Sequence, residues 1–289
     1  MLSYRRGVSA FYWNRSDRLM HIRNGKGNMF KKILLALGAV FAVLIVGFVG
    51  LLFWAQRAGS QQQEKFFQAV ATGDPNAVLE LCDPALRDQI DAPVLAAWMA
   101  EVHKQLGDYQ GLSKANFSTQ ANATEHGTIV ESDGTVHFQR GDATSNLEFR
   151  DNLLIKFSIN SDKIPPGWFT GPADTTLYRE RGEQFIRKFF ERDPKGTADM
   201  MHEALRRTVP DSKLQSMIDE VAGNAGSLKS IEFQDAKFNA DDQQTLFVTY
   251  RVDCEKSLLD AIVEFQFEGL KGHLLGFNFK DVKPPGSGD

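Results

Sequence analysis

His103 is the residue best suited to chemistry near neutral pH, because an unperturbed imidazole already titrates there. It lies beside a helical stripe that runs from Met99 to Val102, with Trp98 just before it and Tyr109 shortly after it. A polar group among aromatics is the usual make-up of a small-ligand pocket. A histidine and a phenol close in sequence are also the residue types that acid–base work uses. The competing reading makes Trp98 and Tyr109 core residues and puts His103 near a helix C-terminus, where the dipole favours a cation. Trp98, His103 and Tyr109 are therefore the candidate ligand pocket, and no catalytic residue is assigned. His202, on a short helix of the second half, is a weaker candidate. The six histidines show no metal-ligand spacing, so neither metal nor cofactor is expected. A phosphate-binding glycine loop and a nucleophile elbow are also missing from the sequence. The two cysteines, Cys82 and Cys254, read as buried thiols, one on a helix and one on a strand, with an extracytoplasmic disulfide as the alternative.

The elements that would position these residues follow a membrane-like start. Ile33 to Ala55 is a run of 23 residues without charge, and about 20 suffice to span a bilayer core. Residues 1–32 hold eight basic residues and one acid, Asp17. The positive flank predicts a single-pass anchor with a cytoplasmic N-terminus and the bulk of the chain in the periplasm. A cleaved signal peptide fits less well, since the apolar run is long and Ala55–Ala58 is a poor cleavage site. Met29 is a natural start for the anchor. The overall net charge is −4, so the body beyond the basic flank is acidic. Such a body repels phosphate backbones, which excludes nucleic acid as a partner.

The body says the same thing twice. EKFFQAVATGDP from Glu64 returns as EQFIRKFFERDP from Glu183, 119 residues later. The same offset links Ala85-Leu86-Arg87 to Ala204-Leu205-Arg206 and Gly107 to Gly226. Further on, Ile155 and its neighbours align with Val263 and its neighbours at an offset near 108, which implies about eleven extra residues in the first copy. Ser132–Thr135, with its central Asp-Gly, is expected to hold them in a hairpin. A period this long indicates a duplicated domain. Each copy opens with a helix, near 60–72 and 179–192. Asp-Pro then marks a break and a capped second helix, and a third helix ends at Gly107 or Gly226. After that the period changes to two. Leu246, Val248, Tyr250, Val252 and Cys254 share one strand face, followed by Ala261, Val263, Phe265 and Phe267, and then by Leu275, Phe277 and Phe279. Helices followed by alternating strands predict α+β with antiparallel sheets. The inward positions are expected to be apolar in both copies. Arg251, Asp253, Glu264 and Glu268 read as a solvated outer face.

A helical unit, a Gly-x-aromatic or Gly-x-aliphatic exit (Gly107-Asp108-Tyr109, Gly226-Ser227-Leu228) and a curved antiparallel sheet resemble the NTF2-like, cystatin-like superfamily. More narrowly, FFQAVATGDPNAVLELCDPALR, LGDYQGL and the closing IPPGW or LLGFNF resemble a bacterial extracytoplasmic domain family of unknown function. Behind the basic tail over 1–32 and the transmembrane helix over 33–55 read from charge and hydropathy, the resemblance implies a first NTF2-like domain over 61–170. A linker over 171–178, a second such domain over 179–282 and a tail over 283–289 follow. It carries no catalytic residues. Tandem copies fit an interaction platform, so the expected role is non-catalytic binding of an extracytoplasmic ligand or protein. The alternative is a hydrolase or isomerase with its pocket in the first domain.

Overall fold

In this computed structural model the described residues are 59–113, 118–124, 127–240 and 243–282. The basic tail, the apolar run over 33–55 and the tail over 283–289 lie outside them. Among the described residues no helix is long and apolar enough to cross a membrane.

The chain is α+β, with two antiparallel sheets, each preceded by its own set of helices. Helix α1 covers 59–72, and Gly73 ends it at a φ of 73°. Helix α2 (Pro75–Leu79) starts at Asp74, whose carboxylate accepts the Asn76 N–H at 2.9 Å, with proline in the first turn where its missing N–H costs nothing. Helix α3 (Pro84–Arg87) repeats the device with Asp83. Helix α4 (Ala92–Leu106) stops at Gly107, whose φ of 77° suits a residue without Cβ. The second set is α5 (Thr176–Phe190), α6 (Pro194–Met200), α7 (Glu203–Thr208) and α8 (Asp211–Ala225). Asp193 caps α6, and Gly226 closes α8 at a φ of 83°. The expected Asp-Pro starts and glycine stops are present, but among the described residues each set has four helices where three are expected, because α3 and α7 add a short turn capped by Asp83 and by His202.

The first sheet holds β1 (Tyr109–Leu112), β2 (Ser118–Thr124), β3 (Gly127–Phe138), β4 (Gly141–Arg150) and β5 (Leu153–Asn160). Its order is β1-β3-β4-β5, with β2 also on β3. The second sheet is β6 (Leu228–Asn239), β7 (Thr245–Cys254), β8 (Leu258–Glu268) and β9 (Lys271–Asp281), in that order. β1 and β2 share an edge of β3 that β6 covers alone on β7.

Three expectations need correction here. Ser132–Thr135 is no hairpin but the middle of β3, where Asp133 pairs with Asn146 and Gly134 with Ser145. The repeat also aligns differently. Phe149 pairs with Leu154 just after a bulge, and Phe265 pairs with Leu274 just after a bulge. Leu154 therefore corresponds to Leu274, so β5 matches β9 and not β8. Strand alternation has the same period in every strand, so an alignment by apolar pattern slips by a whole strand without penalty. Lastly, the bulge near Leu275 shifts the phase of β9. Leu274 is buried in place of Leu275, while Phe277 and Phe279 pack on Phe185 and Phe189 of α5 as expected.

Each sheet buries one face under its helices. The first core gathers Phe66, Phe67, Leu95, Val102 and Leu147, and the second gathers Phe185, Ile186, Ile218, Val248 and Phe265. The inward face is not wholly apolar in the first repeat. Gln63, Ser132 and Ser145 are buried there. Ser132 Oγ donates to Gln63 Oε1 at 3.0 Å, Gln63 Nε2 donates to Ser145 Oγ, and Ser145 Oγ also lies 3.2 Å from the Gly134 carbonyl. The cluster is satisfied internally, which is what makes its burial tolerable.

The two repeats also touch. Asp91, at the start of α4 and only 3% exposed, sends its carboxylate across to the second repeat. Arg181 clasps it with two nitrogens at 2.7 and 2.8 Å, Tyr178 Oη donates to it at 2.9 Å, and the Gly272 N–H donates at 2.9 Å. The Asp91 N–H in turn donates to the Leu270 carbonyl. Leu270 and Trp168 pack against both cores, and Val94 of α4 and Phe169 belong to the second.

Candidate functional site

The structure divides the three candidate residues between two places. His103 and Tyr109 line a pocket of about 370 Å³ with Val70, Gly73, Met99 and Asp108. Trp98 lies on the other side of α4, where it packs on Phe157 at 5.5 Å. The side chain of His103 is 67% exposed and sits 3.6 Å from the Asp108 carboxylate. Its carbonyl accepts from the Gly107 N–H and from Arg140, so the residue's firm contacts are those of a helix end. Tyr109 stacks on Phe67 and donates its hydroxyl to Glu64 at 2.8 Å. Burial, and then the Glu64 carboxylate, push the phenol well above its usual range. A phenol so held is a poor proton donor at neutral pH.

Trp98 instead belongs to a cleft of about 970 Å³ between the two repeats. The first repeat supplies Leu86, Ile90 and Trp98 from its helices, Ile155 to Ile159 from β5, and Trp168 beyond the sheet. The second supplies His202, Glu268, Leu270, Lys271 and His273. The cleft exists because the β8–β9 hairpin is longer than its counterpart. The first repeat turns at Asp151-Asn152, directly after the Arg150–Leu153 pair. The second continues past Gln266–His273 through Phe267–Gly272 and Glu268–Lys271 before turning at Gly269-Leu270. The added length carries Leu270 and Lys271 over the first repeat, where Lys271 Nζ donates to the Asp88 carbonyl.

One wall of this cleft holds three residues that sequence spacing did not connect. His202 is the N-cap of α7, and its N–H donates to the Leu274 carbonyl of β9 at 3.0 Å. That bond sets His202 beside His273, with ring centroids 4.6 Å apart. Glu268 lies on the same strand face as Gln266, the partner of His273. One ligand atom from each of His202, Glu268 and His273 lies within 4.8 Å of the others. Burial, and then the neighbouring His202, lower the pKa of His273 and favour its neutral form. Two histidines 71 positions apart give no local signal. The available hint was at His202 itself, which stands where the first repeat has the capping Asp83.

Cys82 and Cys254 are both buried and free. Cys82 is not on a helix but at a bridge to Leu154, with Sγ near the Val78 carbonyl. Compared with protein families, with curated proteins and with solved structures, the chain matches none of them.

Proposed function

We propose that this chain is a single-pass, extracytoplasmic binding protein whose two NTF2-like repeats hold a small, partly apolar ligand in the cleft between them, without catalysis. The observation that carries this reading is the cleft itself. Its size is that of a small-molecule site, and it sets aromatic and aliphatic side chains such as Trp98, Phe157 and Trp168 against polar ones such as Lys156, Lys271 and the two histidines. Both tryptophans of the described body, Trp98 and Trp168, line it. The charge-free run over 33–55 behind a basic flank supports the anchor and the orientation. The enzymatic alternative draws less support, because His103 is solvent-facing and Tyr109 is engaged by Glu64.

The test is a screen of small aromatic and acyl carboxylates against the detergent-solubilised full chain, read by tryptophan emission. A true cleft ligand shifts the emission of the wild type, and the shift shrinks in Trp98→Phe and in Trp168→Phe. Ser158→Trp, which fills the cleft from β5, abolishes binding measured by calorimetry. A ligand bound equally well by Ser158→Trp would remove the cleft from the proposal. Orientation is checked separately: protease added to spheroplasts should digest the chain beyond Gln56, and a protected body would refute the extracytoplasmic placement.

A further inference from the structure

We infer that His202, Glu268 and His273 form a binding site for a divalent transition metal of the zinc class, open on one side to the cleft between the repeats. Two imidazoles and a carboxylate are the donor set that such borderline metals select over magnesium or calcium. Three protein ligands leave at least one coordination position, and the cleft is the space beyond it.

Geometry supports the assignment at each residue. Ligand atoms around a tetrahedral zinc lie about 3.4 Å apart, given bonds of about 2.0–2.1 Å. The three groups already lie within 4.8 Å of one another, and Glu268 is exposed and free to swing inward. The two histidines come from rigid parts of the fold. His202 is tied by its backbone to Leu274, and His273 is paired with Gln266 inside the β8–β9 ladder. Capping does not account for His202. At the equivalent position Asp83 accepts its cap bond at 2.9 Å, whereas His202 Nδ1 accepts from the Ala204 N–H at 3.4 Å. Histidine is the poorer cap, so the second repeat has lost capping strength here and gained an imidazole. Lys271, across from Glu268, directs its ammonium to the Asp88 carbonyl.

The site does not depend on the proposed organic ligand, and the experiment keeps the two apart. The full chain in detergent is stripped with chelator and titrated with zinc by calorimetry and with cobalt by visible absorption. One ion binds per chain, and cobalt shows the intense bands of a low-coordinate site. His202→Ala and His273→Ala each weaken binding at least about tenfold, and Glu268→Gln weakens it by about tenfold. His137→Ala, which removes the histidine paired with Asp142 in the first repeat, leaves binding unchanged. Ser158→Trp retains the metal even where it blocks an organic ligand. Should a histidine variant melt early without metal, Glu268→Gln decides, since that side chain is exposed. The inference is overturned if the wild type binds zinc no better than His202→Ala/His273→Ala. It is equally overturned if either histidine variant, or Glu268→Gln, binds like the wild type.

Discussion

The two repeats fill one and the same space by opposite means. In the first, Gln63 of α1 reaches the sheet where the paired residues are Gly134 and Ser145. In the second, the position equivalent to Gln63 is Gly182, and the paired residues are Tyr250 and Ala261. A Cβ on Gly182 would stand 2.3 Å from the Tyr250 hydroxyl, which donates instead to the Arg179 carbonyl at 2.6 Å. Large helix residue over small sheet residue has become small over large. A close-packed interior conserves volume more strictly than it conserves which element supplies it. The exchange also changes chemistry. The first repeat keeps a polar cluster inside, while the second is closed by one phenol whose pKa is raised, chiefly by burial.

The contrast extends to the edges. The first repeat ends its last hairpin early and contributes Asp91. The second extends the equivalent hairpin and supplies Arg181, Tyr178 and Gly272 to receive it. The largest effect is expected at that joint. Asp91→Ala leaves Arg181 and Tyr178 without their partner and should cost about 3 kcal/mol in denaturant unfolding. A cost below about 1 kcal/mol would mean that Leu270, Trp168 and Val94 hold the repeats together and the carboxylate only orients them.

The volume exchange is tested next. Gly182→Ala should destabilise by about 1–3 kcal/mol through overpacking against Tyr250. Combined with Tyr250→Ala it should cost less than the two changes summed, because the clash is then gone. Strict additivity would show that Gly182 and Tyr250 do not share one space.

The buried thiols differ as well. Burial pushes Cys82 up to about 11 from an ordinary value of 9.0, and burial also raises Cys254. Between pH 9 and 11 the unfolded chain loses the Cys82 proton while the folded one retains it. Stability is therefore intact below pH 9 and declines above it, with about 1 kcal/mol lost to Cys82 by pH 10. The buried tyrosines add to the decline only from about pH 10. Cys82→Ala should flatten the first part of the curve, as followed by thermal melting. An unchanged slope between pH 9 and 10 would count against this account.

The smallest effect concerns the caps. His202→Asp installs the first repeat's cap in the second and should gain about 0.5–1 kcal/mol in chelator-treated protein. A loss there would show that the His202 imidazole contributes more by packing on His273 than a better cap supplies.

Much of the local structure was legible in the chain. Asp74-Pro75 and Asp193-Pro194 start helices because a short carboxylate caps and a ring lacks only a dispensable N–H. Gly107 and Gly226 end helices because their backbones need positive φ. Leu246 to Cys254 and Ala261 to Phe267 alternate because one face of each strand is dry. These signals act over a few residues, so sequence alone determined the helix starts at Asp74-Pro75 and Asp193-Pro194, the helix ends at Gly107 and Gly226, the strands β7 and β8 and the α+β class. The pairing of β5 with its true equivalent, the run of β3 through Gly134 and the bulge that buries Leu274 were not legible, because period-two patterns are alike and register is chosen by partners far along the chain. The same holds for the site. Trp98 parts from His103 because they face opposite sides of α4. His202 meets Glu268 and His273, and Asp91 meets Arg181, only after two sheets and a lengthened hairpin bring distant segments together. Tertiary structure alone decided those encounters, since no local free-energy preference connects residues that touch only in the folded chain.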